Sequence, residues 1–189
     1  MKNWILASSS PRRQELLKKI IPTFDVFEPD VDELDAEVHN PRELVLHNAE
    51  LKFDCAINAN ADAYVIAADT TVALGNRIFN KPQSMEDACR MLKELSGRTH
   101  HVYTAVSCGN CEHEHAMVGV SEVTFLQLSE ETILRYLGLI NPLDKAGSYA
   151  IQSSSELIIG KWSGSLDNII GLPTELLKQQ LVQMRWIDA

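Results

Sequence analysis

The residues best suited to chemistry lie near the amino terminus, in a short segment rich in hydroxyl and guanidinium groups. Residues 8–10 are three serines that follow the apolar run 4–7 and precede Pro11, Arg12 and Arg13. Serine is a favoured helix N-cap and proline suits the first helical position, so a helix is predicted to begin here. A helix N-terminus offers unpaired N–H groups and partial positive charge, to which two arginines add their own. We interpret the segment as a polyphosphate site; an ordinary capped helix with solvated arginines is the alternative.

A carboxylate at the end of a predicted strand is the second signal. Residues 64–68 form a nearly continuous apolar run, typical of a strand covered on both faces, and Asp69 follows directly. Ligands collect at strand ends in α/β sheets, where a carboxylate can bind a metal or deprotonate a water. A buried aspartate satisfied by loop backbone is the alternative. Lys52 and Lys81 are individually typical of surface lysines.

A cluster of soft ligands occupies eight residues in the second half of the chain. Cys108, Cys111, His113 and His115 supply the ligand types of tetrahedral zinc. Their spacing is unlike the usual two separated pairs, and the intervening Gly-Asn is typical of a hairpin turn. We interpret the cluster as the reduced tip of a hairpin, with a zinc site and a redox pair as alternatives.

Composition limits the class of protein. The chain has 189 residues, of which 45% are hydrophobic and 23% charged, an ordinary globular mix that excludes wholesale disorder. Its net charge of −9 argues against a nucleic-acid coat protein. With no run of about 18 apolar residues, no secretory leader pattern and few cysteines, we expect a cytoplasmic protein without a membrane partner.

Charge is distributed unevenly along the first forty residues. Residues 1–19 carry five bases against one acid, whereas residues 25–37 carry seven acids and no base. A basic helix start beside an acidic loop is what an anion together with a divalent metal would require. Two separately solvated surfaces would give the same pattern, and composition does not choose between them.

Alternating helices and strands must position these residues. Apolar periodicity predicts helices that begin at Pro11, near residue 41, after Ser84, after Ser129 and at Pro173, and strands at 4–7, 64–74, 77–79, 102–107, about 115–128 and 157–162. The second helix is expected to bury Leu44, Leu51 and Cys55, with Val45 and Asn48 alongside. His100 and His101 are expected at the surface. The alternation, with one antiparallel hairpin, predicts an α/β fold with a mixed sheet in a single domain over residues 1–189.

Seven collinear segments resemble the Maf proteins, a family of nucleoside triphosphate pyrophosphatases. They are residues 6–13, 31–33, 68–70, 80–82, 91–97, 144–152 and 168–173. The resemblance implies a two-lobed α/β fold with a central mixed sheet flanked by helices and a cleft, similar to inosine-triphosphate pyrophosphatases. It implies metal-dependent hydrolysis of a nucleoside triphosphate to the monophosphate and pyrophosphate, with Mg²⁺ or Mn²⁺. Members of the family are often homodimers, and some are linked to septum formation.

The resemblance also implies roles for individual residues of this chain. The proton acceptor falls on Asp69, and the metal-binding role on Glu33 and Asp69. Phosphate-binding roles fall on Ser8, Arg13, Lys52 and Lys81, to which the helix-start argument adds Ser10 and Arg12. The three positions that set base preference read Arg12, Thr70 and Gln152, which resembles the dTTP/UTP branch of the family.

Base preference has a physical reason at Gln152. Its amide presents one acceptor and one donor, which match the N3–H and O4 of uracil, thymine and their modified analogues. Cytosine presents the reverse pattern, so CTP is expected to be rejected. Ser153 stands where the family usually has glycine, and a requirement for positive φ there would shift the base-reading loop. The alternatives are a 7-methyl-GTP pyrophosphatase and a non-catalytic nucleotide-binding regulator of cell division.

Overall fold

A seven-stranded mixed sheet with helices on its faces forms the centre of the protein, in a computed structural model that describes residues 2–34 and 40–188. The strands are β1 (Trp4–Ala7), β2 (Asp25–Phe27), β3 (Tyr64–Leu74), β4 (Arg77–Phe79), β5 (Thr99–Gly109), β6 (Glu114–Phe125) and β7 (Ile159–Ser163). The helices are α1 (Pro11–Lys18), α2 (Pro41–Ala59), α3 (Met85–Leu95), α4 (Glu130–Leu137), α5 (Leu166–Ile170) and α6 (Thr174–Gln183). Asp35 and Glu37 of the acidic segment lie outside the described residues. Among the described residues, no helix is long and apolar enough to cross a membrane.

The order of the strands leaves a gap at one edge of β3. The sheet runs β2-β1-β3-β5-β6-β7, with β1 parallel to both of its neighbours and the other pairs antiparallel. Along one edge of β3, the pairing with β1 ends at Ala67 and the pairing with β4 begins at Val72, while β5 covers the opposite edge without a break. Among the strands of residues 2–34 and 40–188, none pairs with residues 68–71 on that edge.

Two large apolar clusters lie on either side of this gap. One packs α1 and α6 against β1 and β3; its most buried members are Leu6, Leu17, Ile66, Leu172 and Leu177. The other packs α3 and α4 against the far part of the sheet; its large buried members include Phe79, Leu92, Leu95, Ile133 and Tyr136. The predicted α/β fold is confirmed: two lobes share the sheet, and a cleft lies between them.

Helix α2 begins as predicted but buries a different face. Asn40 is its N-cap and accepts a hydrogen bond from the backbone of Arg42. Leu51 and Cys55 are only half-buried, so that part of the prediction is wrong. Lys52 and Phe53 turn inward instead, because Phe53 packs with a small apolar cluster beside β1 and Lys52 meets two carboxylates.

The β5–β6 hairpin accounts for the cysteine and histidine cluster. Cys108 is buried in the sheet opposite His115, whereas Cys111 is exposed in the turn. Burial raises the pKa of the Cys108 thiol to about 12, so it stays protonated and unreactive. Within residues 2–34 and 40–188, no three His, Cys, Asp or Glu side chains converge to hold a metal. The predicted hairpin with reduced cysteines is confirmed.

The surface position predicted for His100 is wrong. Strand β5 begins earlier than predicted, and its alternation turns His100 into the core while His101 faces outward beside Glu122. The His100 ring packs edge-on against Phe125 and Tyr149, and its Nε2 lies 2.8 Å from the Tyr149 hydroxyl.

This burial predicts a pH-dependent stability. Desolvation, with a smaller contribution from His101, lowers the pKa of His100 from 6.5 to about 4. Below pH 6.5 the unfolded chain gains a proton that the folded protein excludes, so the unfolding free energy is expected to fall by about 1.4 kcal/mol per pH unit down to about pH 4. Urea unfolding between pH 7 and pH 4 measures this slope. His100→Gln should lose the slope and the matched His101→Gln should keep it; equal pH curves for the wild type and His100→Gln would contradict the account.

Candidate active site

A cavity of about 410 Å³ opens at the gap in β3. Every residue given a role from the sequence lines it: Ser8, Ser10, Arg12, Arg13, Glu33, Lys52, Asp69, Thr70, Lys81 and Gln152. Successive side chains of a strand point to opposite faces. Because residues 68–71 have no partner strand on this edge, Asp69 and Thr70 both reach the cavity, one from each face of the sheet.

Two carboxylates and an ammonium form the centre of the cavity. Lys52 Nζ lies 2.7 Å from Asp69 Oδ1 and 3.0 Å from Glu33 Oε1. Lys52 and Asp69 are only 7% and 8% exposed, so the protein largely shields both charged groups from contact with water. Lys52 is therefore no ordinary surface lysine, because it is a buried cation that two converging carboxylates share.

Asn48 holds the acidic segment against this centre. Its side chain accepts a hydrogen bond from Leu34 N at 2.8 Å and donates to Leu34 O at 3.2 Å, which fixes the backbone next to Glu33. The same amide nitrogen lies 3.5 Å from Asp69 Oδ2. The sequence placed Asn48 on the buried face of a helix but gave it no role at the site; a polar residue on an apolar face was the available signal.

Arg13 ties three elements together at the phosphate-binding end. Its Nε donates to Gly171 O at 2.9 Å, Nη1 to Ser8 Oγ at 3.3 Å and Nη2 to Thr70 Oγ1 at 3.0 Å. Burial lowers the pKa of Arg13 while Asp69 opposes the shift, and a guanidinium stays protonated in any case. Three of its five N–H bonds are used, which leaves two for a ligand.

The start of α1 differs from the prediction in one detail. Ser10 is the N-cap and Pro11 the first helical residue, as predicted, but the Ser10 hydroxyl makes no capping hydrogen bond. The Ser10 backbone N–H instead donates to Ser8 Oγ at 3.3 Å. The first turn of the helix therefore keeps backbone donors that face the cavity without a side-chain cap.

Arg12 spans the mouth of the cavity. It donates to Asp144 Oδ2 at 2.9 Å and to the Asp144 carbonyl at 3.2 Å, and Lys145 Nζ lies 2.6 Å from the same carboxylate. Partial burial raises the pKa of Asp144, but hydrogen bonds from Lys145 and Arg12 outweigh it and hold that pKa below its usual range. Asp144 and Lys145 begin the segment 144–152 that resembles the family, but the sequence analysis gave neither of them a role at the site. A phosphate would have to compete with Asp144 for Arg12.

Tyr149 and Gln152 also line the cavity, on a loop whose backbone is fixed by the buried phenol of Tyr136. The Tyr136 hydroxyl accepts from Ala150 N at 3.0 Å and donates to Ala150 O at 3.3 Å. The non-glycine residues with left-handed φ in the described ranges are Ser148, Ser154 and Arg185. Position 153 therefore does not require glycine, and the serine found there is compatible with the loop.

Removal of the Tyr136 hydroxyl is expected to destabilise the protein. In Tyr136→Phe both backbone groups of Ala150 lose a buried partner, which costs about 1–3 kcal/mol of unfolding free energy. Urea unfolding measures the loss. Tyr103→Phe, at a half-buried position on β5, is the matched control; equal stability of the two variants would show that the Tyr136 hydrogen bonds carry no net free energy.

The carboxylate pair is compatible with a divalent cation. Glu33 and Asp69 supply hard oxygen ligands on one side of the cavity, next to the phosphate-binding segment. Mg²⁺ is commonly held by one or two carboxylates and completes its shell with water and substrate phosphates. Since no third acidic or imidazole ligand joins the pair in the described part of the chain, the residues fit a cation shared with a triphosphate.

Comparisons with known proteins find relatives along nearly the whole chain. Residues 3–184 match the family model described as "Maf-like protein". The chain is 45% identical over 169 residues to the dTTP/UTP pyrophosphatase of Akkermansia muciniphila, with 89% of each chain covered. It is 42% identical over 180 residues to the dTTP/UTP pyrophosphatase of Carboxydothermus hydrogenoformans, with 93% of this chain and 95% of the relative covered.

A solved structure supports the fold. The Staphylococcus aureus Ham1 protein superposes with a TM-score of 0.60 at 17% identity, over 97% of this chain and 100% of that chain. At such low identity the likeness concerns the architecture alone, and it agrees with the mixed sheet and its flanking helices.

Proposed function

The chain belongs to the Maf family, and from this premise we propose that it hydrolyses dTTP and UTP to the monophosphate and pyrophosphate. Relatives at 42–45% identity that carry the name dTTP/UTP pyrophosphatase support the substrate class. The observation that carries the chemistry is the Asp69–Lys52–Glu33 group, in which Asp69 and Lys52 are buried, next to a phosphate-binding helix start in one cavity.

The triphosphate binds where donors converge. Ser8, Ser10 and the first turn of α1 offer hydroxyl and backbone donors, and Arg13 offers its two remaining N–H bonds. Lys81 lines the same cavity and is exposed, so its ammonium can reach an anion there. Oriented donors in a partly desolvated site stabilise developing negative charge more strongly than water does.

Asp69 accepts the proton of the attacking water. The water oxygen forms a bond to the α-phosphorus, the bond to the bridging oxygen breaks, and pyrophosphate leaves with the electron pair. The proton passes to the Asp69 carboxylate, which Lys52 and Asn48 hold in place. Lys52, Lys81, Arg12 and Arg13 stabilise the charge of the pyrophosphate as it departs.

Glu33 and Asp69 are the residues that would hold Mg²⁺ or Mn²⁺. When bound, the cation supplies charge neutralisation of the triphosphate. Asn48 supports this role because it fixes the backbone beside Glu33 through both polar atoms of its side chain.

Gln152 reads the pyrimidine edge. It lines the same cavity as the serine segment, and the buried Tyr136 hydroxyl fixes Ala150 two residues before it. Its donor and acceptor complement N3–H and O4 of thymine and uracil. Analogues modified away from this edge are accepted for the same reason.

Pyrophosphate release from a nucleotide panel with Mg²⁺ or Mn²⁺ tests the proposal. The panel holds dTTP, UTP, CTP, GTP and 7-methyl-GTP. Turnover of dTTP and UTP with little of CTP is expected. Turnover of 7-methyl-GTP would reassign the branch within the family, and tight binding without any turnover would indicate a nucleotide sensor.

A further inference from the structure

A directed chain of hydrogen bonds leaves the cavity through Thr70. Arg13 Nη2 lies 3.0 Å from Thr70 Oγ1, which lies 3.0 Å from Thr104 Oγ1, and Thr104 Oγ1 lies 2.9 Å from the carbonyl oxygen of Asn168. Thr70 lines the cavity, whereas Thr104 is fully buried on the neighbouring strand β5. These hydrogen bonds thus join Thr70, which lines the cavity, to the backbone of α5 through Thr104, which does not line it.

The Asn168 carbonyl, at the end of this series of hydrogen bonds, fixes which atom donates in each of them. A carbonyl oxygen can only accept, so the one hydroxyl proton of Thr104 points to Asn168. Thr104 must then accept from Thr70, whose own proton is used for that bond. Arg13 has only N–H groups and donates to Thr70. The Thr70 hydroxyl therefore has no proton for a ligand, and one lone pair remains.

We propose that Thr104 is a positioning residue for specificity: it fixes Thr70 as a hydrogen-bond acceptor, so that the substrate group meeting Thr70 is a donor. The inference rests on the proposed function for the identity of the substrate. Ionised phosphate oxygens only accept, so Thr70 serves the nucleoside half. Donors there are the imide N3–H, which cytosine lacks, and the sugar hydroxyls.

Two substitutions at position 104 distinguish the effect of the hydroxyl group from the effect of side-chain packing. Thr104→Val keeps the shape but frees the Thr70 proton, and Thr104→Ser keeps the hydroxyl. Thr104→Val is expected to lower kcat/KM for dTTP about three- to tenfold, mainly through KM, the range of one hydrogen bond. Thr104→Ser is expected to stay near the wild type. In a Thr70→Val background, Thr104→Val should not lower kcat/KM any further, because the Thr70 hydroxyl that Thr104 orients is absent.

Substrate analogues identify the donor. N3-methyl-dTTP lacks the imide proton, 2′,3′-dideoxy-TTP lacks the sugar hydroxyl, and inorganic tripolyphosphate lacks both. The effect of Thr104→Val should vanish for the analogue without the relevant donor and for tripolyphosphate. An equal effect on all of these substrates would overturn the proposal.

The variant is expected to fold. The Asn168 carbonyl also accepts from Gly171 N at 3.1 Å, so Thr104→Val does not leave it without a partner. Thermal unfolding checks this, and equal impairment of Thr104→Val and Thr104→Ser would assign the effect to packing and sink the idea. If the wild type releases no pyrophosphate, the proposed function fails, and calorimetric affinities of the same variants for a non-hydrolysable dTTP analogue still test the polarity of Thr70.

Discussion

Asp69→Asn is expected to lower kcat for dTTP by at least about 10²-fold, the usual loss when a general base is removed. Asparagine keeps the shape of the side chain and an oxygen for the Lys52 ammonium, 2.7 Å away in the wild type. It does not take the proton of the attacking water. KM should change much less, because the serine segment and Arg13 are untouched. Steady-state pyrophosphate release measures both constants.

The matched control for this prediction is Asp62→Asn. Asp62 is exposed in the turn before β3, so its loss removes the same charge at a site without contact to the cavity. Its kcat should equal that of the wild type. Near-wild-type turnover by Asp69→Asn, in protein with an unchanged melting temperature, would show that Asp69 is not the proton acceptor.

Lys52→Met is expected to lower kcat by about 10²–10³-fold, as removal of a preorganised electrostatic group does in other enzymes. Methionine keeps most of the aliphatic stem but leaves Asp69 and Glu33 converging without the ammonium that lies within 3.0 Å of both. Repulsion between the two carboxylates then moves Asp69 away from the water, and the departing pyrophosphate loses a cation. Single-turnover kinetics with dTTP measure the chemical step directly.

Lys178→Met is the control for Lys52. Lys178 is exposed on α6 and is not among the residues that line the cavity, so its variant should behave like the wild type. Thermal unfolding of both variants separates catalysis from folding, because loss of a buried ion-pair partner also destabilises proteins. A Lys52→Met enzyme that is stable and as fast as the wild type would contradict the electrostatic role.

The local elements of the fold follow closely from local chemistry. Pro11 and Asn40 mark helix starts, Ser84 and Ser129 accept hydrogen bonds as N-caps, and the apolar run before Asp69 becomes a central strand. Each of these signals is contained within a few neighbouring residues, so it can be read without knowledge of the tertiary structure.

The features that could not be predicted from the sequence depend on contacts between residues that are distant in sequence. Strand β2 has three residues with little apolar pattern, and its pairing with β1 alone defines it. His100 was misplaced because the start of β5 depends on pairing with β6. The inward rotation of α2 follows from Lys52 meeting Asp69, a residue 17 positions away.

In the candidate site, too, the residues marked by local patterns could be predicted and those defined by long-range contacts could not. The serine segment and Asp69 stand out as local patterns, whereas Lys52, Lys81 and Gln152 were identified through a family resemblance. Asp144, Asn48 and Thr104 were given no role because their roles exist only in long-range pairs. Arg12 and Asp144 are 132 positions apart in sequence, and Thr70 and Thr104 are 34 positions apart. The gap in β3, which lets both faces of one strand serve one cavity, is a property of the sheet order.

Hydrolysis of dTTP in water enriched in ¹⁸O tests the central claim most directly, because it reports which phosphorus is attacked. Mass spectrometry of the products should find one ¹⁸O in dTMP and none in pyrophosphate, as attack on the α-phosphorus beside Asp69 requires. Label in pyrophosphate, or release of dTDP with labelled inorganic phosphate, would contradict the account and place the attack at another phosphorus.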